Sequence, residues 1–214
     1  MIPTQTRGCS RPEPCVLGRT GFLARASFTA SASFRHGVLE KGEEQMTQTL
    51  EEMVAARLGI MPPVGAAGLY RTTLRSGAQI WVSGQLSLAD DGSVLTGRCG
   101  ADLDVETGRV AARQALRGVL SQVVNVAKGT PATSVRCLKL GVFIAATPEF
   151  SQQTQVADGA SELLADVLGE AALGTRTAVG VTSLPRGAAV EIEAVFELMD
   201  PPIERARAIH AQRS

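Results

Sequence analysis

The sequence predicts an α+β fold in which two helices cover one face of a single, mixed, six-stranded sheet. The predicted elements follow the order of three strands, a helix, a strand, a second helix and two strands. At Asp104 the apolar period changes from two to about 3.6, which marks the first helix. Because the chain has too few elements left to cover the other sheet face, we expect oligomerisation to cover it, with sites shared between subunits.

The first three predicted strands follow one another closely. An extended segment at residues 69–74 precedes the apolar run Ile80–Val82, and Ser76-Gly77 forms the turn between them. Asp90-Asp91-Gly92 marks a second turn, after which Val94-Leu95 predicts a short third strand. These segments supply the first half of the sheet.

Two segments have the apolar spacing of amphipathic helices. Between Asp104 and Lys128 the apolar residues recur at helical spacing, with Asp104 available as the N-cap and Gly129 as the C-terminal stop. The second helix is predicted from about Phe150 to Leu168, and Gly169 ends it. Their apolar faces are expected to pack on the sheet.

Three strands complete the sheet. Val135–Ala146 is rich in β-branched residues and is predicted as a central strand, followed by Ala178–Ser183 and Ala189–Leu198. The side chains expected on one face of the central strand are Leu138, Leu140, Val142 and Ile144. In the last strand, apolar residues alternate with Glu191, Glu193 and Glu197, the pattern expected of an edge strand with one solvated side.

Composition divides the chain into three parts. Residues 46–198 form the predicted domain, which opens with a short helix around Leu50 and Leu58, and residues 199–214 are a polar tail. Residues 1–45 are rich in arginine and hydroxyl side chains and have no apolar period. Two interpretations of them stay open: a disordered extension upstream of a true start at Met46, or a transit-like targeting segment.

Charge and apolar run length disfavour several classes of partner. Lys+Arg and Asp+Glu number 21 each, so there is no basic field to gather nucleic acid. No apolar run approaches the roughly 18 residues that a membrane span requires. The four cysteines have neither a zinc spacing nor the pattern of a disulfide framework, which indicates a reducing, cytoplasmic compartment.

The histidines exclude several kinds of catalytic site. His36 and His210 both lie outside the region with regular structure signals. A Ser-His-Asp triad, a Cys-His pair or a histidine-ligated metal would need an imidazole inside the fold. We therefore predict chemistry without a metal and without a cofactor.

The polar residues at the ends of predicted elements are Tyr70, Ser83, Gln85, Arg176 and Glu191. One joint interpretation is that Arg176 holds a substrate carboxylate bidentately while a neighbouring carboxylate orients water for attack on an electrophilic carbon. Such a site suits a substrate that is already reactive, because positioning then suffices. Taken singly, Arg176 is more simply a surface ion-pair partner. The domain's Lys128 and Lys139 have no evident cleft for Schiff-base chemistry.

Several blocks of the sequence resemble the RidA/YjgF family. They are Gly68-Leu69-Tyr70, Val82-Ser83-Gly84-Gln85, Arg176 to Val181, Leu184-Pro185 and Val190 to Ala194, and the resemblance covers roughly Pro62 to Leu198. It implies a chorismate-mutase-like α+β protomer in a homotrimer, with pockets at the subunit interfaces. It also implies hydrolysis of 2-imino and enamino acids, which are small carboxylates, to 2-oxo acids and ammonia.

The resemblance also implies roles for individual residues. Arg176 matches the arginine that grips the substrate carboxylate, and Glu191 matches the glutamate that places the attacking water. Tyr70 and Ser83 match positions that line the pocket, and Gly84 and Gln85 beside Ser83 are counted with them as substrate-binding residues.

The chain departs from the family pattern near Arg176. The proline expected shortly before the arginine is missing, the cysteine expected two residues after it is Ala178, and Asp158–Glu162 replaces an asparagine and a tyrosine of the pocket. Two alternatives to the deaminase therefore stay open: a trimer that binds a small carboxylate without turnover, and a deaminase of the aminomuconate type. An endoribonuclease is disfavoured by the neutral charge and the lack of a basic, aromatic groove.

Overall fold

The computed structural model of the protein describes residues 48–59 and 62–199, so the interpretations of residues 1–45 and of the C-terminal tail beyond Met199 lie outside the described residues. The helices are α1 (Leu50–Leu58), α2 (Val105–Val126) and α3 (Gln153–Leu168). The strands are β1 (Thr73–Ser76), β2 (Gln79–Leu86), β3 (Val135–Ala145), β4 (Thr175–Val181) and β5 (Val190–Leu198). Among the described residues, no helix is both long and apolar enough to cross a bilayer.

The five strands form one mixed sheet in the order β1-β2-β5-β3-β4. All neighbouring pairs are antiparallel except β3 and β4, which α3 connects as a crossover between parallel strands. Helices α2 and α3 lie on one face, so the predicted α+β layer is confirmed. The last strand, β5, is central and not an edge strand, because its partners β2 and β3 are distant in the sequence and no local pattern indicates them.

The structure has five strands where six were predicted. Val94 makes only an isolated bridge to Leu88. The segment lies between Gly92 and Gly97, whose φ angles of 79° and 123° turn the chain at both ends and leave too few residues for a ladder. The first strand begins at Thr73, later than the predicted range of residues 69–74.

The helix ends follow the predicted signals. The carboxylate of Asp104 accepts a hydrogen bond from the backbone N–H of Thr107 at 2.8 Å, as an N-cap does. Gly169 ends α3 with a φ of 85°. A Cβ atom at Gly159 would overlap the backbone carbonyl of Arg109, so glycine allows α2 and α3 to approach backbone to backbone.

The sheet has two different faces. The helix face carries the buried core of the strands, which includes Ile80, Leu140, Val142, Ile144, Ile192 and Phe196. The opposite side, which we call the open face, carries Trp81, Lys139, Phe143, Glu191, Glu193 and Val195, as the pairing and the alternation of burial place them. Within the described ranges no helix packs on the open face.

One predicted core position is shifted by a β-bulge. Cys137 pairs with Phe196 and Lys139 pairs with Val195, so Leu138 is the extra residue of β3. Cys137 is consequently buried in the core, and Leu138 is only half-buried. Leu138 therefore does not continue the face that Leu140 begins.

Candidate functional site

Arg176 lies on the helix face of the edge strand β4. Its backbone pairs with Leu140 of the core, so its side chain is directed toward α3. Nη1 donates to Ser161 Oγ at 2.8 Å and pairs with Asp158 Oδ1 at 2.9 Å, and Nη2 donates to the Thr154 carbonyl at 3.4 Å. The side chain is 20% exposed. Three groups of one helix therefore fix the guanidinium in place.

Glu191 lies on the open face of β5, beside a β-bulge in β2. The pairing shifts between Val82 and Gln85, which leaves Ser83 and Gly84 as the bulged residues. A Cβ atom at Gly84 would overlap the Glu191 carboxylate, so the missing side chain makes room for that group. Gln85 Nε2 donates to the carbonyls of Ser83 and Gly84, both at 3.1 Å, and so fixes the bulge.

The electrostatic surroundings of Glu191 suit proton transfer. Burial raises the pKa of Glu191, and the negative charge of the adjacent Glu193 adds to this effect. Ser83 Oγ is buried with no hydrogen-bond partner within the described part of the chain. A carboxyl with raised pKa can accept a proton from a small polar molecule and return it.

Tyr70 belongs to an exposed segment that leads into β1. Its hydroxyl accepts a hydrogen bond from the Ala67 N–H at 3.4 Å, and its side chain is 51% exposed. Two residues later, the Thr72 carbonyl accepts a bond from the Ser83 N–H at 2.9 Å. The backbone thus brings the Tyr70 segment to the same part of β2 as the bulge and Glu191.

Arg176 and Glu191 are not brought together within one chain. Strand β3 lies between β4 and β5, so the two residues are two strand spacings apart, roughly 10 Å. Arg176 is level with Ala194, three positions along β5 from Glu191, which adds about 10 Å along the strand. They also lie on opposite faces. A single chain therefore cannot present both groups to one small substrate.

Sequence reasoning missed the direct partners of Arg176. Asp158 and Ser161 are three positions apart on α3 and so share one helix face, which was the available signal. The segment was noted as a departure from the family, but its contact with Arg176 depends on how the β3-α3-β4 crossover packs. That packing is not visible in the local pattern.

Other features of the described residues lie away from the predicted site. Grooves of about 630 Å³ and 430 Å³ between α1, the following segment and α2 are lined by none of the predicted site residues. No group of three or more His, Cys, Asp or Glu side chains in residues 48–59 and 62–199 is arranged to hold a metal ion.

Comparison with known proteins identifies the family. A profile of the family described as Endoribonuclease L-PSP matches residues 62–197. Protein TCP17 of Trypanosoma cruzi is 45% identical over 145 residues, which cover 66% of this chain and 90% of TCP17. The crystal structure of Atu1372 from Agrobacterium tumefaciens, described as a protein of unknown function, is 37% identical, with a TM-score of 0.63 and coverage of 73% and 98% of the two chains. A crystal structure from Shewanella oneidensis is 27% identical, with a TM-score of 0.62 and coverage of 71% and 100%. The chain therefore belongs to the L-PSP family, which is the RidA/YjgF family that its sequence blocks resemble.

Proposed function

We propose that the protein hydrolyses reactive 2-imino and enamino acids to 2-oxo acids and ammonia, in a site built by Arg176 of one subunit and Glu191 of the next. The observation that carries the proposal is the placement of these residues on opposite faces of the sheet. If both touch one substrate, they must come from two chains. Family membership and the raised pKa of Glu191 support the chemistry.

The open face supports assembly as a homotrimer. Trp81 is 50% exposed, and Phe143 and Val195 on the same face are only partly buried. A sheet with one face on helices and partly exposed apolar side chains on the other is stabilised by packing against another protein surface. A closed ring forms when one patch of a subunit contacts a different patch of the next. In the proposed ring, the β4 edge of one subunit lies against the open face of its neighbour.

The proposed chemistry needs one proton acceptor and one anion-binding group. Arg176 binds the substrate carboxylate and directs C2 of the protonated imine toward a water molecule held by Glu191. The water oxygen bonds to C2, one of its protons passes to the Glu191 carboxylate, and the C=N π electrons move onto nitrogen, which becomes an amine. An enamine enters the same path after its C3 takes up a proton from the solvent, which gives the protonated imine.

The second half of the reaction releases ammonia. Glu191 returns the proton to the amine nitrogen, and the C–N bond breaks with its electron pair on nitrogen as the hydroxyl oxygen forms the C2 carbonyl. The hydroxyl proton leaves with ammonia as ammonium. Water and the protonated imine thus give a 2-oxo acid and ammonium. A carboxyl with raised pKa is suited to both the accepting and the donating role.

The test is hydrolysis of an imine generated in the assay. A dehydratase supplies 2-aminoacrylate or 2-iminobutyrate, and its disappearance is followed with the full chain. Arg176→Ala is expected to lower kcat/KM about a hundredfold because the carboxylate loses a charge-assisted pair, and Glu191→Gln to lower kcat by about 10²–10³. Arg113→Ala, which removes an exposed guanidinium paired with Asp166, is the control and should leave kcat/KM unchanged.

Two outcomes would replace the proposal. If the wild-type protein does not accelerate hydrolysis over the uncatalysed rate for several side chains, the protein binds small carboxylates without turnover. If it cleaves single-stranded RNA and Glu191→Gln abolishes the cleavage, the endoribonuclease function is correct. The three glutamates that β5 carries opposite its core side disfavour that second outcome, since they repel phosphate.

A further inference from the structure

Some hydrogen-bond donors of the Arg176 guanidinium are already bonded to groups of the same chain. Nη1 meets both Asp158 and Ser161, and Nη2 donates one long hydrogen bond to the Thr154 carbonyl. In the part of the chain that the structure describes, Nε has no acceptor within hydrogen-bond distance. The remaining edge, formed by Nε and Nη2, has the geometry that holds one carboxylate bidentately.

The charged cluster that Arg176 joins through Asp158 contains more carboxylates than guanidinium groups. Arg109 lies near Asp158 and pairs with Glu162 at 2.6 Å and with Glu106 at 3.4 Å. Together with the Arg176–Asp158 pair, the cluster on α2, α3 and β4 has two guanidinium groups and three carboxylates. In the proposed trimer, the neighbouring Glu191 adds a further carboxylate. The Nε–Nη2 edge of Arg176 can thus bind one carboxylate, and the excess of carboxylates nearby repels a second one.

We propose that Asp158 determines the selectivity of the site, by neutralising Arg176 enough that only substrates with a single carboxylate bind well. This inference rests on the proposed function and specifies its substrate class: 2-imino acids with an uncharged side chain. A substrate with two carboxylates would add a second negative charge to a site where carboxylates already outnumber guanidinium groups. The inference therefore disfavours dicarboxylates of the aminomuconate type.

The test removes the charge of Asp158 and keeps its shape. Asp158→Asn retains a side-chain oxygen that can accept from Nη1, and the side chain is 42% exposed, so the substitution is compatible with the fold. KM is measured for 2-iminobutyrate, which has one carboxylate, and for 2-iminoglutarate, which has two, both generated by an amino acid oxidase. The variant is expected to lower KM about tenfold for the dicarboxylate and about twofold for the monocarboxylate.

The matched control is Asp166→Asn. Asp166 lies on the same helix, is 64% exposed and pairs with Arg113 at 3.6 Å, away from Arg176. It should leave both KM values unchanged. If Asp158→Asn leaves the ratio of the two KM values unchanged, or raises both, Asp158 only positions Arg176 and the inference is wrong.

A binding measurement separates this inference from the proposed function. Calorimetry with 2-oxobutyrate and 2-oxoglutarate gives the ratio of their Kd values without any turnover. If the protein hydrolyses no imine but Asp158→Asn shifts this ratio toward 2-oxoglutarate by about tenfold, the deaminase proposal fails and the selectivity role stands. If neither 2-oxo acid binds to wild type or variant, the selectivity role fails.

Discussion

Glu191 differs from the other glutamates of β5 in its surroundings. Glu191, Glu193 and Glu197 share the period-two pattern, and the sequence therefore predicts their common side of the strand correctly. What distinguishes Glu191 is the bulge at Gly84 and the partial burial that raises its pKa. These depend on the pairing of β5 with β2, which is distant in the sequence. The role of Glu191 was accordingly implied only by the family resemblance.

The raised pKa of Glu191 predicts a pH-dependent stability difference. The carboxyl titrates near 4.5 in the unfolded chain and at a higher pH in the folded chain. At neutral pH the charged, partly buried carboxylate destabilises the fold, and stability is regained as the pH falls through the raised folded pKa. Glu191→Gln should therefore melt above wild type at about pH 7.5, and the difference in Tm should shrink as the pH falls toward 4.5, the ordinary pKa of the group.

Thermal melts across this range check the prediction. Glu149→Gln, which changes an exposed carboxyl outside the site, serves as the control and should shift Tm by no more than about 1 °C. A Glu191→Gln protein that melts below wild type at neutral pH, with a gap independent of pH, would show that the carboxylate is not desolvated.

At the scale of elements, local signals predicted the helices better than the strands. The N-cap of Asp104 and the stop at Gly169 are local in sequence, and both helices begin and end within a few residues of the predicted positions. The strand errors have non-local causes. Val94 lacks a ladder partner, and Leu138 becomes the extra residue of a bulge because of the register with β5. Register is set by partner strands, which periodicity does not identify.

The bulge in β2 requires a residue without a side chain at position 84. Gly84→Ala places a methyl group where the Glu191 carboxylate lies, so that carboxylate must move. We expect kcat for imine hydrolysis to fall at least about tenfold, because the water loses its positioned acceptor. Gly65→Ala is the control, since a Cβ there meets nothing within 4 Å. Equal kcat values for the two variants would show that the bulge at Gly84 does not contribute to catalysis.

The close contact of α2 with α3 requires glycine at position 159, and replacing that glycine is expected to lower the stability of the fold. A Cβ at this position would overlap the Arg109 carbonyl, and backbone atoms cannot rotate away. Gly159→Ala should lower the free energy of unfolding by about 1–3 kcal/mol in a denaturant titration. At Gly118, by contrast, the nearest atom is the Gln85 Cβ at 3.2 Å, an approach that a shift of a few tenths of an ångström relieves. If Gly118→Ala destabilises as much as Gly159→Ala, close backbone approach is not the cause.

At the scale of the whole molecule, the two faces of the sheet separate the two main residues of the proposed site. Composition predicts chemistry without histidine or a metal, and the element ends indicate Arg176 and Glu191 as candidate residues. The joint site of a guanidinium and a carboxylate, however, is split by topology, because β3 separates their strands. The same topology leaves the open face bare. The proposed assembly, in which the β4 edge of one subunit packs on the open face of another, would cover that face and bring Arg176 of one chain close to Glu191 of the other.

The most direct test of this two-chain site is complementation between two inactive variants. Arg176→Ala and Glu191→Gln chains are co-expressed, purified together as mixed oligomers and assayed for imine hydrolysis. In a randomly assembled ring of three, about a quarter of the interfaces combine an intact Arg176 with an intact Glu191 from the neighbouring chain. Oligomers in which every chain carries both substitutions are expressed and purified in the same way. They provide the inactive reference. The account predicts recovery of about a quarter of the wild-type activity per site. Mixed oligomers no more active than either variant alone would contradict it.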